Sequence, residues 1–360
     1  MRLSPEGVEA GKILSARRES IAVRVTELYF EAHPGLENKW KNARTKCTED
    51  TMHHIDHLAE AVKLGQPALF AEYAAWAAEL LAHMRIPGEA LSSHLRILAG
   101  VAVSELGDAG GELVIPHLEA ALAKIEAAPK LSCYLEGTGE LDILGRDYTA
   151  ALLRGDRRLA ARLIMDAVER GVPIREIYLK VFQRSQYEIG RLWQLHEISV
   201  ATEHYCTAST QLIMSQLYPH IFAGEKKAGT YVGLCVSGNL HEIGGRIVAD
   251  FFEMAGWNSY YLGANTPAAC VVETLRERGA DVLGISVTLA DQLGAVGDLV
   301  ETVRRDKTVA GVKILVGGYP FNLAPDLWQS VDADGTASDA EGAVHLAGRM
   351  VDKAPREMWT

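Results

Sequence analysis

Residues 237–248, SGNLHEIGGRIV, place a histidine where an α/β fold would carry a phosphate-binding glycine loop. Just before them, TYVGLCV (230–236) is a short β-branched run of the kind that forms a buried parallel strand. Just after, EIGGRIVADFFEMAG (242–256) has the 3.6-residue apolar spacing of an amphipathic helix. His241 therefore falls on a strand-to-helix turn, flanked by Asn239 and Glu242. That is the carboxyl end of a strand, where open α/β sheets bind ligands.

The same texture repeats downstream. The runs NSYYLG (258–263), DVLGISV (281–287) and VKILVGG (312–318) alternate with helical patterns at PAACVVETLRERG (267–279) and LGAVGDLVETVRRD (293–306). With VDADGTASD (331–339) and the helix AEGAVHLAGRMVDKA (340–354), this predicts a doubly wound, Rossmann-like domain over 229–355 with a five-stranded parallel sheet. Three loops meet at its ligand crevice: NLHEIG (239–244), SVT (286–288) and GGYPFN (317–322). Ser286 and Thr288 supply hydroxyls, Gly317 and Gly318 allow close approach to the backbone, and Tyr319 follows them. No GxGxxG occupies the first turn and no GxxxxGK[ST] occurs, so dinucleotide and ATP readings lose their main support.

Upstream the pattern is helical throughout. Residues 1–128 read as an all-α domain, EAAPKLSCYLEGTGELD (126–142) as a linker, and 140–223 as a four-helix bundle whose first two helices are split by RGD (154–156). A chain of 360 residues, 48% hydrophobic, is long enough for two or three domains. A net charge of −11 without any basic block argues against nucleic acid or an anionic membrane as partner. Five cysteines without a CxxC pair read as reduced thiols of a cytoplasmic protein, and no long apolar span suggests a membrane helix.

Asn239, His241 and Gly244 (N-x-H-x-x-G), Ser286 and Thr288 (S-x-T), and the pair Gly317 and Gly318 together resemble the cobalamin-binding domain, whose pattern is D-x-H-x-x-G, S-x-L, GG. The resemblance implies that His241 replaces the lower dimethylbenzimidazole on cobalt and that the displaced nucleotide tail enters a cavity lined by the serine and the glycines. Glu242 and Tyr319 join the candidate cofactor contacts. An imidazole suits such a metal, and a neighbour can orient its second nitrogen. Asn239 stands where the family has Asp, and would accept the imidazole N–H only as a neutral amide. Taken alone, His241 would read as a solvated loop histidine; the three-loop constellation changes that.

Within the bundle, WQLHEISVATEH (193–204) carries Trp193, Glu203 and His204 in the spacing W-x9-EH, which resembles the helical cap of B12-dependent photoreceptors. That resemblance implies Trp193 and Glu203 over the upper face and an adenosyl group. Gln194 stands where those photoreceptors have a histidine, leaving His196 as the candidate upper ligand after illumination. The N-terminal helices resemble photocobilins, which also hold a bilin. Arg44, His53, His54 and His57, in KNARTKCTEDTMHHIDH (41–57), are the candidate bilin contacts; a solvated helix face, or a metal pair of His53 and His57, are the alternatives.

These resemblances imply a non-enzymatic, light-sensing signalling protein. Its chromophores would be adenosylcobalamin and biliverdin, and photolysis of the cobalt–carbon bond would drive a conformational or homo-oligomeric change read by a separate downstream protein. The rival expectation is a corrinoid carrier protein for methyl transfer.

Overall fold

The structure, a computed structural model, describes residues 4–38, 41–84, 86, 88–127, 132–222 and 228–351. Residues 128–131 of the expected linker, and 352–355 at the end of the expected last domain, lie outside these.

Helices α1 (Pro5–Ala16), α2 (Arg18–Ala32), α3 (Ala43–Leu64), α4 (Pro67–His83) and α5 (Gly88–Ala127) open the chain. The start of α1 is set by Ser4, whose hydroxyl accepts from the Gly7 N–H, with Pro5 in the first turn. A single periodic pattern covers α1 and α2, yet Arg17 (φ −102°, ψ 11°) breaks them, and α5 kinks at Gly107 (φ 71°, ψ 177°). Apolar periodicity survives a break that keeps the same face buried, so neither is visible in the pattern. Ile21, Val25, Ile55, Leu58, Leu95 and Leu98 are fully buried here.

The expected bundle consists of α6 (Glu140–Leu153), α7 (Arg157–Glu169), α8 and α9 (Val200–Gln216). Helix α8 runs from Ile174–Glu176 through a π-helical stretch, Ile177–Gln183, into Arg184–Gln194. Asp156 caps α7 by accepting from the Leu159 N–H at 2.9 Å, and Ser199 caps α9 by accepting from the Thr202 N–H at 3.2 Å.

The Rossmann-like sheet follows: β1 (Thr230–Cys235), α10 (Glu242–Met254), β2 (Asn258–Tyr261), α11 (Ala268–Arg278), β3 (Val282–Ser286), α12 (Leu293–Arg305), β4 (Lys313–Gly317), α13 (Tyr319–Leu323), β5 (Gly335–Thr336) and α14 (Ala340–Met350). The strand order is β2-β1-β3-β4-β5, with β1 parallel to β2 and β3, and β3 parallel to β4. β1 and β3 are buried almost from end to end, as strands covered on both faces must be. The order reverses between β1 and β3, and such a switch point opens a crevice beyond the strands' carboxyl ends. In register there stand Cys235, Ser286 and Gly317.

The chain forms two compact units. One comprises Lys130–Ser286, Thr302–Gly318 and Ala337–Thr360; the other comprises Met1–Pro129 with Val287–Glu301 and Tyr319–Thr336. In the first, Tyr148, Tyr178 and Phe182 of the bundle share one core with Ile247, Phe251 and Phe252 of α10.

Candidate functional site

The turn after β1 is built around a buried amide. The Val236 N–H donates to the Ser286 carbonyl at 3.0 Å, and Asn239, fully buried, donates from Nδ2 to the same carbonyl at 3.3 Å. Asn239 Oδ1 accepts from the backbone N–H of His241 at 3.1 Å, an Asx turn. The amide thus fixes the backbone of His241 and is not directed at its ring, contrary to the sequence expectation. A side chain pinned to the neighbouring strand at one end and to residue i+2 at the other holds the turn rather than the imidazole. The His241 ring is exposed at the start of α10.

Glu242 is likewise turned to the scaffold. Its Oε1 accepts from the Ala264 N–H at 2.8 Å, and its carbonyl accepts from Tyr261 Oη at 2.9 Å. Asn265 Oδ1 accepts from the Gly238 N–H at 2.8 Å. The segment after β2 therefore clamps the His241 loop on both sides. Sequence reasoning missed Tyr261 and Asn265 in this role.

The two glycines of α10 do opposite things. A Cβ on Gly245 would lie 2.9 Å from Cys235 Sγ, so its absence lets α10 settle on β1. Gly244 is exposed, with open space where a Cβ would point. On the neighbouring strand ends Ser286 and Gly317 are half-buried, and Gly318 has φ +113°, a conformation other residues rarely adopt.

On the bundle of the same unit, Trp193 is half-buried near the end of α8 and Gln194 is buried. His196 is exposed and takes φ +56°, its N–H donating to the Trp193 carbonyl at 3.0 Å, so its place is that of a left-handed residue closing α8. Glu203 Oε1 accepts from Thr207 Oγ1 at 2.9 Å along α9, and Oε2 lies 3.5 Å from Nε2 of the exposed His204. In the other unit, the Thr288 N–H donates to Gln292 Oε1 at 3.3 Å, and Tyr319 Oη donates to Glu72 Oε1 at 2.7 Å.

Of the residues expected to bind a bilin, His54 and His57 pack into the helical core. Arg44 pairs with Glu37 at 2.7 Å and lies over the Phe30 ring. His54, buried, pairs through Nδ1 with Tyr73 Oη at 2.8 Å, and His57 stacks on Tyr73 with ring centroids 3.7 Å apart. Burial holds His57 down at about 4 and His54 well below the usual imidazole range. Arg44 and His53 are exposed. Among the described residues no group of three or more His, Cys, Asp or Glu side chains could hold a metal ion.

Residues 229–345 match the family described as B12 binding domain, and residues 144–218 match a second family of the same description. A corrinoid protein of Desulfitobacterium hafniense (strain Y51) is 27% identical over 209 residues, covering 56% of this chain and 95% of its own. Dimethylamine corrinoid protein 3 of Methanosarcina acetivorans is 28% identical over 193 residues, covering 52% of this chain and 89% of its own. The solved structure of the monomethylamine corrinoid protein of Methanosarcina barkeri superposes with a TM-score of 0.51 at 21% identity, covering 58% of this chain and 98% of that one, and shares the fold.

These relatives overturn the expectation of a light-sensing signalling protein driven by photolysis. They are corrinoid proteins, two of them named for a methylamine, and they favour the rival carrier reading. No helix among the described residues is long and apolar enough to cross a membrane. The segments 144–218 and 229–345 are B12-binding domains, and the chain is a cobalamin-binding protein.

Proposed function

We propose that this chain is a corrinoid carrier for methyl transfer, with His241 as the lower ligand to cobalt. The observation that carries the reading is the exposed imidazole of His241 on a backbone fixed by Asn239 before it and Glu242 after it. A ligand already held in place loses little freedom on binding.

The residues fit a corrinoid. Gly244, bare one turn along α10, leaves room beside the imidazole for a flat macrocycle. Ser286 and the Gly317–Gly318 pair, at adjacent strand ends, would receive the nucleotide tail. Trp193 and Glu203 would cover the upper face. Trp193 offers a broad apolar surface with a single donor. Glu203, held by Thr207, keeps a carboxylate in the first turn of α9, where the helix dipole favours negative charge. When bound, the corrinoid supplies a cobalt centre that takes a methyl group from one partner and yields it to another. The relative named for dimethylamine supports a methylated amine as donor, and separate methyltransferases would be the partners.

The test loads the full chain with hydroxocobalamin in the dark. After one-electron reduction, the cobalt electron resonance spectrum should show superhyperfine splitting that changes from triplet to doublet when the protein is labelled with nitrogen-15. This reports ligation by a protein imidazole. His241→Ala should abolish the change. After full reduction, the holoprotein should take up the methyl group of methyl iodide and, with a thiol methyltransferase added, pass it to homocysteine. A spectrum indifferent to the label, or no onward transfer, overturns the proposal.

A further inference from the structure

Glu203 stands at the open end of a hydrogen-bonded chain that runs across the bundle. Its Oε1 accepts from Thr207 Oγ1 at 2.9 Å, one turn along α9, and Thr207 Oγ1 lies 3.2 Å from Gln186 Oε1 on α8. Gln186 donates from Nε2 to Thr210 Oγ1 at 2.9 Å, and Thr210 shares a 2.8 Å hydrogen bond with Tyr148 Oη on α6. Burial deepens along the chain: Glu203, Thr207 and Gln186 are half-buried, while Thr210 and Tyr148 are fully buried. All five residues belong to one compact unit, the one that carries His241. On α8, Gln186, Gly190 and Trp193 recur at the i, i+4, i+7 spacing of one helix face, and a Cβ on Gly190 would meet nothing within 4 Å. Open space on that face thus falls between the anchored amide and the candidate upper-face indole.

Thr207 has one hydroxyl hydrogen for two acceptors, and a carboxylate draws it more strongly than an amide carbonyl. The bond fixes the Glu203 side chain, and Gln186 fixes Thr207 against α8. A carboxylate has about four acceptor sites, so one hydrogen bond from Thr207 leaves it capacity for a ligand. We propose that Thr207 is a positioning residue that aims Glu203 at the upper ligand of a bound corrinoid. The protein then favours a corrinoid that bears water, a hydrogen-bond donor, over one that bears methyl, which has nothing to donate. The inference rests on the corrinoid reading above, which sets Glu203 over the upper face. A carrier built this way holds its demethylated, hydrated corrinoid by a charge-assisted contact that the methylated one lacks.

The experiment titrates the full chain in the dark with aquocobalamin and with methylcobalamin, at a mildly acid pH that keeps the upper water protonated. It compares wild type with Thr207→Val, Thr207→Ser and Glu203→Gln, and the quantity read is the ratio of the two Kd values. Thr207→Val keeps the branched shape and removes the hydroxyl, so it should cut the preference for aquocobalamin about 3- to 10-fold, the range of one hydrogen bond. Thr207→Ser keeps the hydroxyl and should stay near the wild-type ratio. Glu203→Gln removes the charge and should cut the preference about 10-fold or more. A wild-type ratio in Thr207→Val or in Glu203→Gln overturns the inference while leaving the carrier reading intact, as does a loss in Thr207→Ser as large as that in Thr207→Val. Wild type that binds neither corrinoid overturns both.

Discussion

Tyr178 Oη donates to Asp250 Oδ2 across 2.8 Å, joining the π-helical stretch of α8 to the helix that begins at His241. Both side chains are buried, and Arg246, one turn earlier on α10, binds the Gln211 carbonyl, Ser215 and Tyr218. The bundle is thereby seated on the helix that carries the candidate cobalt ligand.

This pairing makes stability depend on pH in a defined sense. Burial raises the Asp250 carboxyl from 3.8 to about 6, against the lowering effects of the Tyr178 hydrogen bond and of Arg246. The folded state holds that proton more tightly than the unfolded chain, so the group's contribution is complete below about pH 4 and is lost as pH rises through 6. Tyr178→Phe removes a donor that favours the ionised form. Its cost should be about 1–3 kcal/mol near pH 8 and smaller near pH 4. Urea unfolding at the two pH values checks this, and equal costs at both would sink the idea.

Gly244 and Gly245 should respond in opposite ways to the same substitution. Gly245→Ala drives a methyl to 2.9 Å from Cys235 Sγ and should destabilise the protein by about 1–3 kcal/mol. Gly244→Ala meets nothing within 4 Å and should stabilise α10 by up to about 1 kcal/mol through helix propensity. It should also weaken hydroxocobalamin binding at least several-fold, because the methyl occupies the space beside His241. Thermal melts of the protein without cofactor, set beside corrinoid titrations, check the pair. A Gly244→Ala protein that binds normally would move the corrin away from this face.

The α/β half of the fold could be read from sequence because its signals are local. β-branched runs fall in β1, β3 and β4, and the loops that follow carry the histidine, the serine and the glycine pair. What the sequence hid is long-range. Nothing in the chain near Asn239 says that its amide faces backbone at 286 and 241, or that Glu242 reaches the loop at 264. Nor does periodicity show that Tyr319 pairs with a helix 247 residues away. The cluster at His53, His54 and His57 misled for another reason. On one helix turn of similar residues, burial differs from residue to residue, and only packing against Tyr73 decides which are interior.

Asn239→Asp restores the acid that the cobalamin-binding pattern has at this position, yet here it should do harm. A carboxylate can still accept from the His241 N–H, but it cannot donate to the Ser286 carbonyl, and it would be a buried charge facing that oxygen. The variant should lose about 1–3 kcal/mol near pH 8 and recover part of it near pH 5, where protonation restores a donor. Guanidinium midpoints at the two pH values measure it. An Asp variant as stable as wild type near pH 8 would mean that the turn reshapes to point the acid at the imidazole.

The histidines of the N-terminal helices should make that unit sensitive to acid. Burial holds both His57 and His94 at about 4, below the 6.5 of an ordinary imidazole, and His53 adds repulsion at His57. His57 packs on Tyr73, while His94 lies against Tyr29, His54 and Thr51. For a base whose folded value is depressed, the contribution to stability is complete above about pH 6.5 and is lost as pH falls toward 4, because the unfolded chain takes up the proton first. Two such groups make that loss on the order of 3 kcal/mol each at most. His57→Phe keeps a ring on Tyr73 and removes one titration, so unfolding free energy should fall less steeply between pH 6.5 and 4 than in wild type. Hydrogen exchange of α3 and α4 amides at the two ends of that range locates the change. If the variant and wild type lose stability in parallel, His57 is already protonated in the folded chain and its burial against Tyr73 is not what sets the acid limit.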